Sequence, residues 1–192
     1  MRHRRAGRPA PTSTPAIRSS APSATWSRRW PGEDVTAVGV DGCGAPLFAV
    51  SIAGVARAFR TLVLAGPGTA ERRVADAMRT HPQWTSGTRR EELRLMEAVP
   101  GLLVKCGAEG VDAFAFGDGR AGAVKIDDGA MRARTPVTVA LLRALGVHDG
   151  ADKAALDELA VVEVRGGDGV VGAIRPSPGA FDPAPGAFDQ PS

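Results

Sequence analysis

The hydrophobic pattern of residues 33–64 predicts a strand, a tight turn and a helix. Polar and apolar residues alternate over Glu33–Val40, as they do in a half-buried strand. The segment Val40-Asp41-Gly42-Cys43-Gly44-Ala45-Pro46 follows, and its glycines permit the positive φ angles of a tight turn. Leu47–Leu64 is apolar on nearly every side, which predicts a buried helix. We expect Gly66-Pro67-Gly68 to end that helix.

Two amphipathic helices are predicted next. Thr69 is a suitable N-cap for the first, which places Val74, Ala77 and Met78 on one face and ends by Pro82. The second helix covers Arg89–Val99 and carries apolar residues at helical spacing. It is followed by Pro-Gly, which cannot continue a helix.

Three short strands follow the helices. Leu102–Gly107 is apolar up to a single lysine and predicts a short buried strand. Val111–Phe116 and Ala121–Ile126 flank Gly117-Asp118-Gly119-Arg120. Because an Asp-Gly pair suits the positive φ angles of a hairpin turn, these two segments are predicted to pair.

The remaining pattern completes the predicted fold class. Thr135-Pro136 begins a helix that ends at Gly146. Its predicted apolar stripe consists of Val137, Leu141 and Leu145. A short helix and two strands then follow at Ala151–Leu159, Val161–Val164 and Val170–Ile174. Runs of helices followed by runs of strands indicate an α+β fold with an antiparallel sheet and packed helices.

Low-complexity sequence at both ends bounds the folded region. Residues 1–31 are rich in Arg, Pro and Ser without periodicity, which predicts a disordered leader. An acid-free leader also fits an organellar transit peptide or a wrongly assigned start. Residues 177–192 form a Pro- and Gly-rich flexible tail, in which Gly179-Ala180-Phe181-Asp182 recurs as Gly186-Ala187-Phe188-Asp189. This leaves residues 32–176 as the predicted folded region.

The charge distribution argues against nucleic acid as a partner. The formal net charge is +3, yet seven of the 24 basic residues and none of the 21 acidic residues lie in residues 1–30. The folded region is therefore net acidic, whereas nucleic-acid binding needs positive charge on a shaped surface. No apolar run approaches the roughly 18 residues of a membrane span. Two cysteines are too few for a disulfide-stapled secreted scaffold. We therefore expect a cytoplasmic protein that binds neither nucleic acid nor membrane.

Lys105 and Cys43 are the residues whose local sequence suggests chemistry. Lys105 ends an apolar strand, so its ammonium group either faces a cleft, where it can hold a carboxylate or assist proton transfer, or extends to water. Cys43 lies between two glycines. Its thiol is either a ligand or nucleophile open to close approach, or a small side chain buried in a turn.

Four sequence blocks in order carry a resemblance to a known family. They are Val40-Asp41-Gly42-Cys43-Gly44-Ala45-Pro46, Glu71-Arg72-Arg73-Val74-Ala75-Asp76-Ala77-Met78, Gly107-Ala108-Glu109-Gly110-Val111 and Lys125-Ile126-Asp127-Asp128-Gly129-Ala130. Together they resemble the C-terminal half of the bacterial L-asparaginase II family, of the Rhizobium etli type, over roughly residues 32–147. The resemblance implies a fold similar to serine β-lactamases and glutaminases, here as an incomplete antiparallel sheet. It also implies hydrolysis of the asparagine side-chain amide to aspartate and ammonia.

The resemblance implies roles for individual residues. Lys105 matches the lysine of the family's Lys-x-Gly strand and would be the catalytic lysine. Cys43 matches a zinc ligand of the family's glycine-rich turn. The neighbouring or matching positions Asp41, Gly42, Gly107 and Lys125 become substrate-side candidates.

Other family features have no counterpart in this chain. The family's nucleophile lies in a Ser-x-x-Lys motif, and no lysine here follows a serine by three residues. The Cys-x-x-Lys ligands are also absent, so the predicted zinc site is incomplete and no other cofactor is expected. Near residue 88, Arg89, Glu92 and Leu93 replace the Gly, Asp and Thr of the family pattern.

Three hypotheses about function follow. The first is an amidohydrolase by descent, acting on L-asparagine and impaired in this chain. The second is a catalytically inactive fragment that serves as a binding or complementation module, and a non-functional gene remnant is a third hypothesis. An exposed sheet edge predicts association with a second copy or with a missing N-terminal half.

Overall fold

The computed structural model describes residues 30–147 and 150–181. Within these ranges the strands are β1 (Ala37–Val40), β2 (Pro46–Ala49), β3 (Leu103–Gly107), β4 (Val111–Ala115), β5 (Ala121–Lys125), β6 (Val162–Gly166) and β7 (Gly169–Ile174). The helices are α1 (Ile52–Leu64), α2 (Ala70–Thr80), α3 (Pro82–Ser86), α4 (Glu91–Ala98), α5 (Arg134–Ala144) and α6 (Lys153–Leu159), with a 3-10 turn at Met131–Ala133. Nearly all of the predicted leader and the second Gly-Ala-Phe-Asp copy lie outside the described residues.

All strand pairs are antiparallel, which confirms the predicted α+β class. The strands divide into three sheets: the hairpins β1-β2 and β6-β7, and a central sheet in the order β3-β4-β5. Valines on both hairpins stay exposed, including Val40 and Val171. None of the helices in the described ranges combines the length and apolar character needed to cross a membrane.

The central sheet is covered by helices on both faces. Directly paired residues of an antiparallel sheet lie on the same face, and successive residues alternate. On one face, paired Leu103 and Ala115 pack with Leu62 and Val63 of α1 and Ala75 of α2. This core joins the first two helices to the sheet.

The opposite face carries the larger core. Paired Val104 and Phe114 pack there with Leu95 of α4 and with Val139 and Leu142 of α5. All five side chains are fully excluded from solvent. Burying a side chain of this size contributes about 1.5–3 kcal/mol, so this face carries much of the stability.

Gly122 leaves room for the Phe114 ring. The two residues are paired between β4 and β5, and a Cβ atom at Gly122 would lie 2.5 Å from Cζ of Phe114. We expect Gly122→Ala to lower the free energy of unfolding by about 1–3 kcal/mol, the usual range for overpacking a core. Urea denaturation measures this loss. Gly39→Ala is the control, because a Cβ atom at that strand position meets nothing within 4 Å. An equal effect of both substitutions would contradict the steric explanation.

The predicted helix over residues 47–64 is wrong in its first part. Pro46–Ala49 forms strand β2, and α1 begins only after Ser51. The Ser51 hydroxyl accepts a hydrogen bond from the Gly54 N–H at 2.9 Å and donates one to Glu33 at 2.8 Å, so a capping network fixes this boundary. The prediction that this helix is buried on nearly every side is also wrong, because Ile52 is half exposed.

Two further differences concern helices. The sequence analysis did not predict the short α3, which packs against α4. In α5 the fully buried apolar residues are Pro136, Val139 and Leu142, whereas Val137 is only half-buried. The stripe is rotated because α5 also buries polar residues on its inner face, and apolar periodicity alone does not reveal these.

Candidate functional site

Cys43 lies at the exposed tip of the β1-β2 hairpin. The predicted turn is confirmed: the Asp41 N–H donates to the Ala45 carbonyl at 2.9 Å, and the Gly44 N–H donates to the Asp41 carbonyl at 2.8 Å. Gly44 has a φ of +83°, which favours glycine. The Asp41 carboxylate accepts from the Gly42 N–H at 2.7 Å and lies 3.6 Å from the Cys43 sulfur. The thiol is thus exposed rather than buried in the turn.

The donors at this tip do not make a complete metal site. Cys43 and Asp41 offer one sulfur and one carboxylate, whereas protein zinc sites use three or four protein ligands. In the part of the chain that the structure describes, no three or more His, Cys, Asp or Glu residues are grouped to hold a metal ion. Within those residues, Cys43 can only contribute to a site completed by further donors.

Lys105 lies on β3, the end strand of the central sheet, and is half-buried. Its ammonium group donates to the carbonyl of Cys106 at 3.1 Å and lies 3.7 Å from the Cys106 sulfur. Among residues 30–147 and 150–181, no carboxylate forms an ion pair with Lys105 and no serine or threonine hydroxyl is hydrogen-bonded to it. The ammonium group therefore keeps its charge available to a ligand.

Lys125 ends β5 and supports the turn between β3 and β4. Its ammonium group donates to the carbonyls of Glu109 and Ile126, each at 2.7 Å. Glu109 has a positive φ of 59°, so these hydrogen bonds help to hold a strained turn. Gly107 pairs with Val111 across the same turn, where a Cβ atom at Gly107 would lie 3.3 Å from the Val111 Cβ atom. These contacts give Lys125 and Gly107 structural roles.

The structure groups the predicted residues in two places. Lys105, Gly107 and Lys125 all belong to the central sheet, with Gly107 and Lys125 in the same cross-strand row through Val111. Asp41, Gly42 and Cys43 belong to the tip of a separate hairpin. No hydrogen bond or ion pair between described residues joins the two groups.

A buried charged cluster next to β3 was not predicted. Glu92 of α4, Asp112 of β4, and Arg134 and Thr138 of α5 are almost completely excluded from solvent. The Arg134 guanidinium is 2.9 Å from Asp112, forms an ion pair with Glu92 and lies 3.5 Å from the more exposed Glu91. The Thr138 hydroxyl donates to Asp112 at 2.9 Å. We call Glu92, Asp112, Arg134 and Thr138 the Arg134 cluster.

The Arg134 cluster lies on the Cys106 side of the sheet, since Cys106 pairs directly with Asp112. It fixes α4 and α5 to the end of the sheet that carries Lys105. A sequence signal existed: Asp112 is an acidic residue inside an otherwise apolar strand. Such a residue needs a buried partner, but the sequence does not identify Arg134 as that partner.

Burial sets the electrostatics of the Arg134 cluster. It raises the pKa of Asp112 to about 6, an effect that Arg134 and Thr138 oppose and the nearby Glu92 charge increases. Burial also acts to raise the pKa of Glu92, but the backbone N–H of Glu92, the Cys106 side chain and Arg134 outweigh it and lower that pKa. The pKa values of the two carboxyl groups therefore shift in opposite directions, although both groups pair with Arg134.

The Asp112 pKa predicts a pH dependence of stability. From about pH 6 down to its ordinary value of 3.8, Asp112 binds a proton in the folded state that it does not bind when unfolded. Stability from this group therefore rises as pH falls, by about 1 kcal/mol between pH 7 and pH 5. The test is urea denaturation of the unaltered chain and of Asp112→Asn at pH 7 and pH 5. The free energy of unfolding of Asp112→Asn should lack this pH-dependent increase.

Asp118→Asn is the control for this measurement, because hydrogen bonds from Arg120 lower the pKa of exposed Asp118. Its titration therefore falls below this pH range. An unchanged pH slope in Asp112→Asn would contradict the assignment.

Comparison with known proteins gives one positive result. A family model described as L-asparaginase II matches residues 26–176, which is most of the chain. A search of curated proteins finds no match to it. The matched region includes both groups of predicted site residues and the Arg134 cluster.

Proposed function

Because this chain belongs to the L-asparaginase II family, we propose that it carries the lysine side of a site for L-asparagine. The family implies a small-molecule substrate, and the proposed reaction is hydrolysis of the side-chain amide to aspartate and ammonia. We also propose that it is of the Rhizobium etli type with a β-lactamase-like architecture. The four sequence blocks described above support this proposal. The observation that carries the proposal is the Lys105 ammonium group, which is half-buried beside Cys106 and has no carboxylate partner among the described residues.

Lys105 supplies charge rather than a nucleophile. A positioned ammonium group can bind the substrate carboxylate or stabilise the oxyanion that forms as the amide carbon is attacked. In the proposed acyl-transfer reaction a hydroxyl oxygen attacks that carbon, its proton passes to the amide nitrogen, and the C–N bond breaks to release ammonia and leave an ester. Water then cleaves the resulting ester, which releases aspartate and regenerates the hydroxyl.

The chain as it stands is proposed to be impaired. No hydroxyl in the described residues is hydrogen-bonded to Lys105, and the family's Ser-x-x-Lys motif does not occur in the sequence. Catalysis would then require a hydroxyl from a complementing polypeptide. Loss of a nucleophile removes the covalent route and leaves mainly binding.

A specific observation favours the alternative, an inactive binding or complementation module. The β1-β2 hairpin presents an exposed Cys43 thiol with the Asp41 carboxylate 3.6 Å from its sulfur, two groups that could donate to a metal ion. A partner that contributes further donors would complete that site at the contact between the two proteins. Zinc-dependent association with such a partner, lost in Cys43→Ala, would distinguish this alternative.

The test of the proposed function is binding and hydrolysis by the purified chain. We expect ligand-detected NMR to show binding of L-asparagine that weakens at least tenfold in Lys105→Ala, because the ligand carboxylate loses its cation. Ammonia release should stay at the level of the blank. Lys153→Ala is the matched control, since Lys153 is exposed at the start of α6.

Three outcomes would count against parts of this proposal. Equal binding by Lys105→Ala and the unaltered chain would remove Lys105 from the site. Absence of any L-asparagine binding would favour the complementation module. Ammonia release that depends on Lys105 would support the site and overturn the proposed impairment.

A further inference from the structure

A groove of about 540 Å³ runs along α5, and its lining includes neither the Arg134 cluster nor Lys105. Its floor is one face of α5, and its sides are the end of α6 and the segment 175–181 that follows β7. The α5 face contributes the small side chains of Ala140 and Ala144, one helical turn apart, and the fully buried Pro136 precedes them by one turn. A volume of this size is within the range of ligand-binding pockets.

One copy of the repeated tail motif already forms a wall of this groove. Gly179, Ala180 and Phe181 line it, and Phe181 is half-buried there. The Ala180 N–H donates to the Ser177 carbonyl at 3.1 Å, and Gly179 has a φ of +77°. The motif therefore makes a glycine-dependent turn that places a phenyl ring beside α5.

The second copy repeats the same residues. Pro178-Gly179-Ala180-Phe181-Asp182 recurs unchanged as Pro185-Gly186-Ala187-Phe188-Asp189. Because the first copy packs beside α5, an identical second copy can also pack there, provided that space remains. The volume left open beside Phe181 provides that space, and two phenyl rings there can reach the favourable centroid separation of about 4.5–7 Å.

The charges around the groove also favour the second tail motif as its occupant. The groove is lined by Arg143 and Arg175. Arg143 contacts Asp157 at 2.5 Å, whereas Arg175 has no ion-pair partner among residues 30–147 and 150–181. Residues 182–192 contain Asp182 and Asp189 and no basic residue. An acidic segment thus follows directly after a basic groove.

The chain length allows this contact within one molecule. Phe188 follows Phe181 by seven positions along the chain, and an extended chain of that length spans up to about 25 Å. So short a tether gives an effective concentration in the millimolar range, so a weak contact is sufficient. The prolines Pro183 and Pro185 reduce the conformational entropy that docking must overcome.

We propose that the α5 groove is a docking site for the second tail motif, Pro185–Asp189, of the same chain. Phe188 packs beside Phe181 over Ala140, and Asp189 pairs with Arg175. The groove thereby recognises a short acidic Pro-Gly-Ala-Phe-Asp peptide. This site is independent of the proposed asparagine site.

A labelled peptide with the sequence of residues 183–192 tests the proposal on the full chain. Fluorescence anisotropy should show that Phe188→Ala binds the peptide at least tenfold more tightly than the unaltered chain, in which the tethered copy competes. Gln190→Ala should behave like the unaltered chain. Adding Arg175→Glu to Phe188→Ala should weaken binding, and the effect should diminish at high salt because the contact is at the surface.

Several results would overturn the proposal. Equal peptide affinity of Phe188→Ala and the unaltered chain would show that the tethered copy does not occupy the groove. Failure of the peptide to bind Phe188→Ala would show that the groove does not recognise the motif. Light scattering that detects dimers of the unaltered chain but monomers of Phe188→Ala would assign the motif to contacts between two copies.

Discussion

Replacing Arg134 with methionine is expected to lower the free energy of unfolding by about 3–5 kcal/mol. The substitution keeps an unbranched side chain but leaves Glu92 and Asp112 without their shared cation. Both carboxyl groups are completely excluded from solvent, so water cannot replace the guanidinium. Urea denaturation followed by circular dichroism measures the loss.

Two companion variants separate charge from packing. Arg132→Met changes an exposed arginine whose ion pair with Asp128 lies at the surface, and it should cost less than about 1 kcal/mol. Combining Arg134→Met with Glu92→Gln and Asp112→Asn removes the unpaired charges and should recover a large part of the loss. A small effect of Arg134→Met, or no recovery in the triple variant, would contradict the role assigned to the Arg134 cluster.

Phe114→Ala should have a loss of similar size, about 3–5 kcal/mol, for a different reason. The ring is completely buried in the larger core and meets Phe116 edge to face, with centroids 6.3 Å apart. It also covers Gly122, which has no side chain to fill the resulting cavity. The same denaturation experiment measures this change.

Phe48→Ala provides the comparison, because Phe48 is a half-buried residue on the separate β1-β2 hairpin. Its removal should cost much less than that of Phe114. If the two phenylalanines proved equally important, the hairpin would contribute to the core far more than its exposure indicates.

Features decided by neighbouring residues were predictable from the sequence. Thr69 caps α2 as predicted, since its hydroxyl accepts from the Arg72 N–H at 3.2 Å. The turn at residues 117–120 pairs β4 with β5, and Gly119 has the positive φ expected there. Each of these depends on chemistry within a few residues, which is the range over which a sequence pattern carries information.

Features decided by distant partners were not predictable. Leu47–Ala49 is as apolar as a buried helix, but pairing with β1 makes it a strand. The Arg134 cluster joins three segments that are 20 or more residues apart, so no local pattern contains it. For the candidate site, the sequence identified Lys105 but could not show that its ammonium group donates a hydrogen bond to the Cys106 carbonyl.

The hydrogen bond from Lys105 to Cys106 has a consequence for assembly. A polypeptide that extended the central sheet beyond β3 would compete with this ammonium group for main-chain acceptors. Binding of such a polypeptide would then release the Lys105 ammonium group from its hydrogen bond to Cys106. The ammonium group would be available to a ligand in both states, but only in the isolated chain would it also donate to the Cys106 carbonyl.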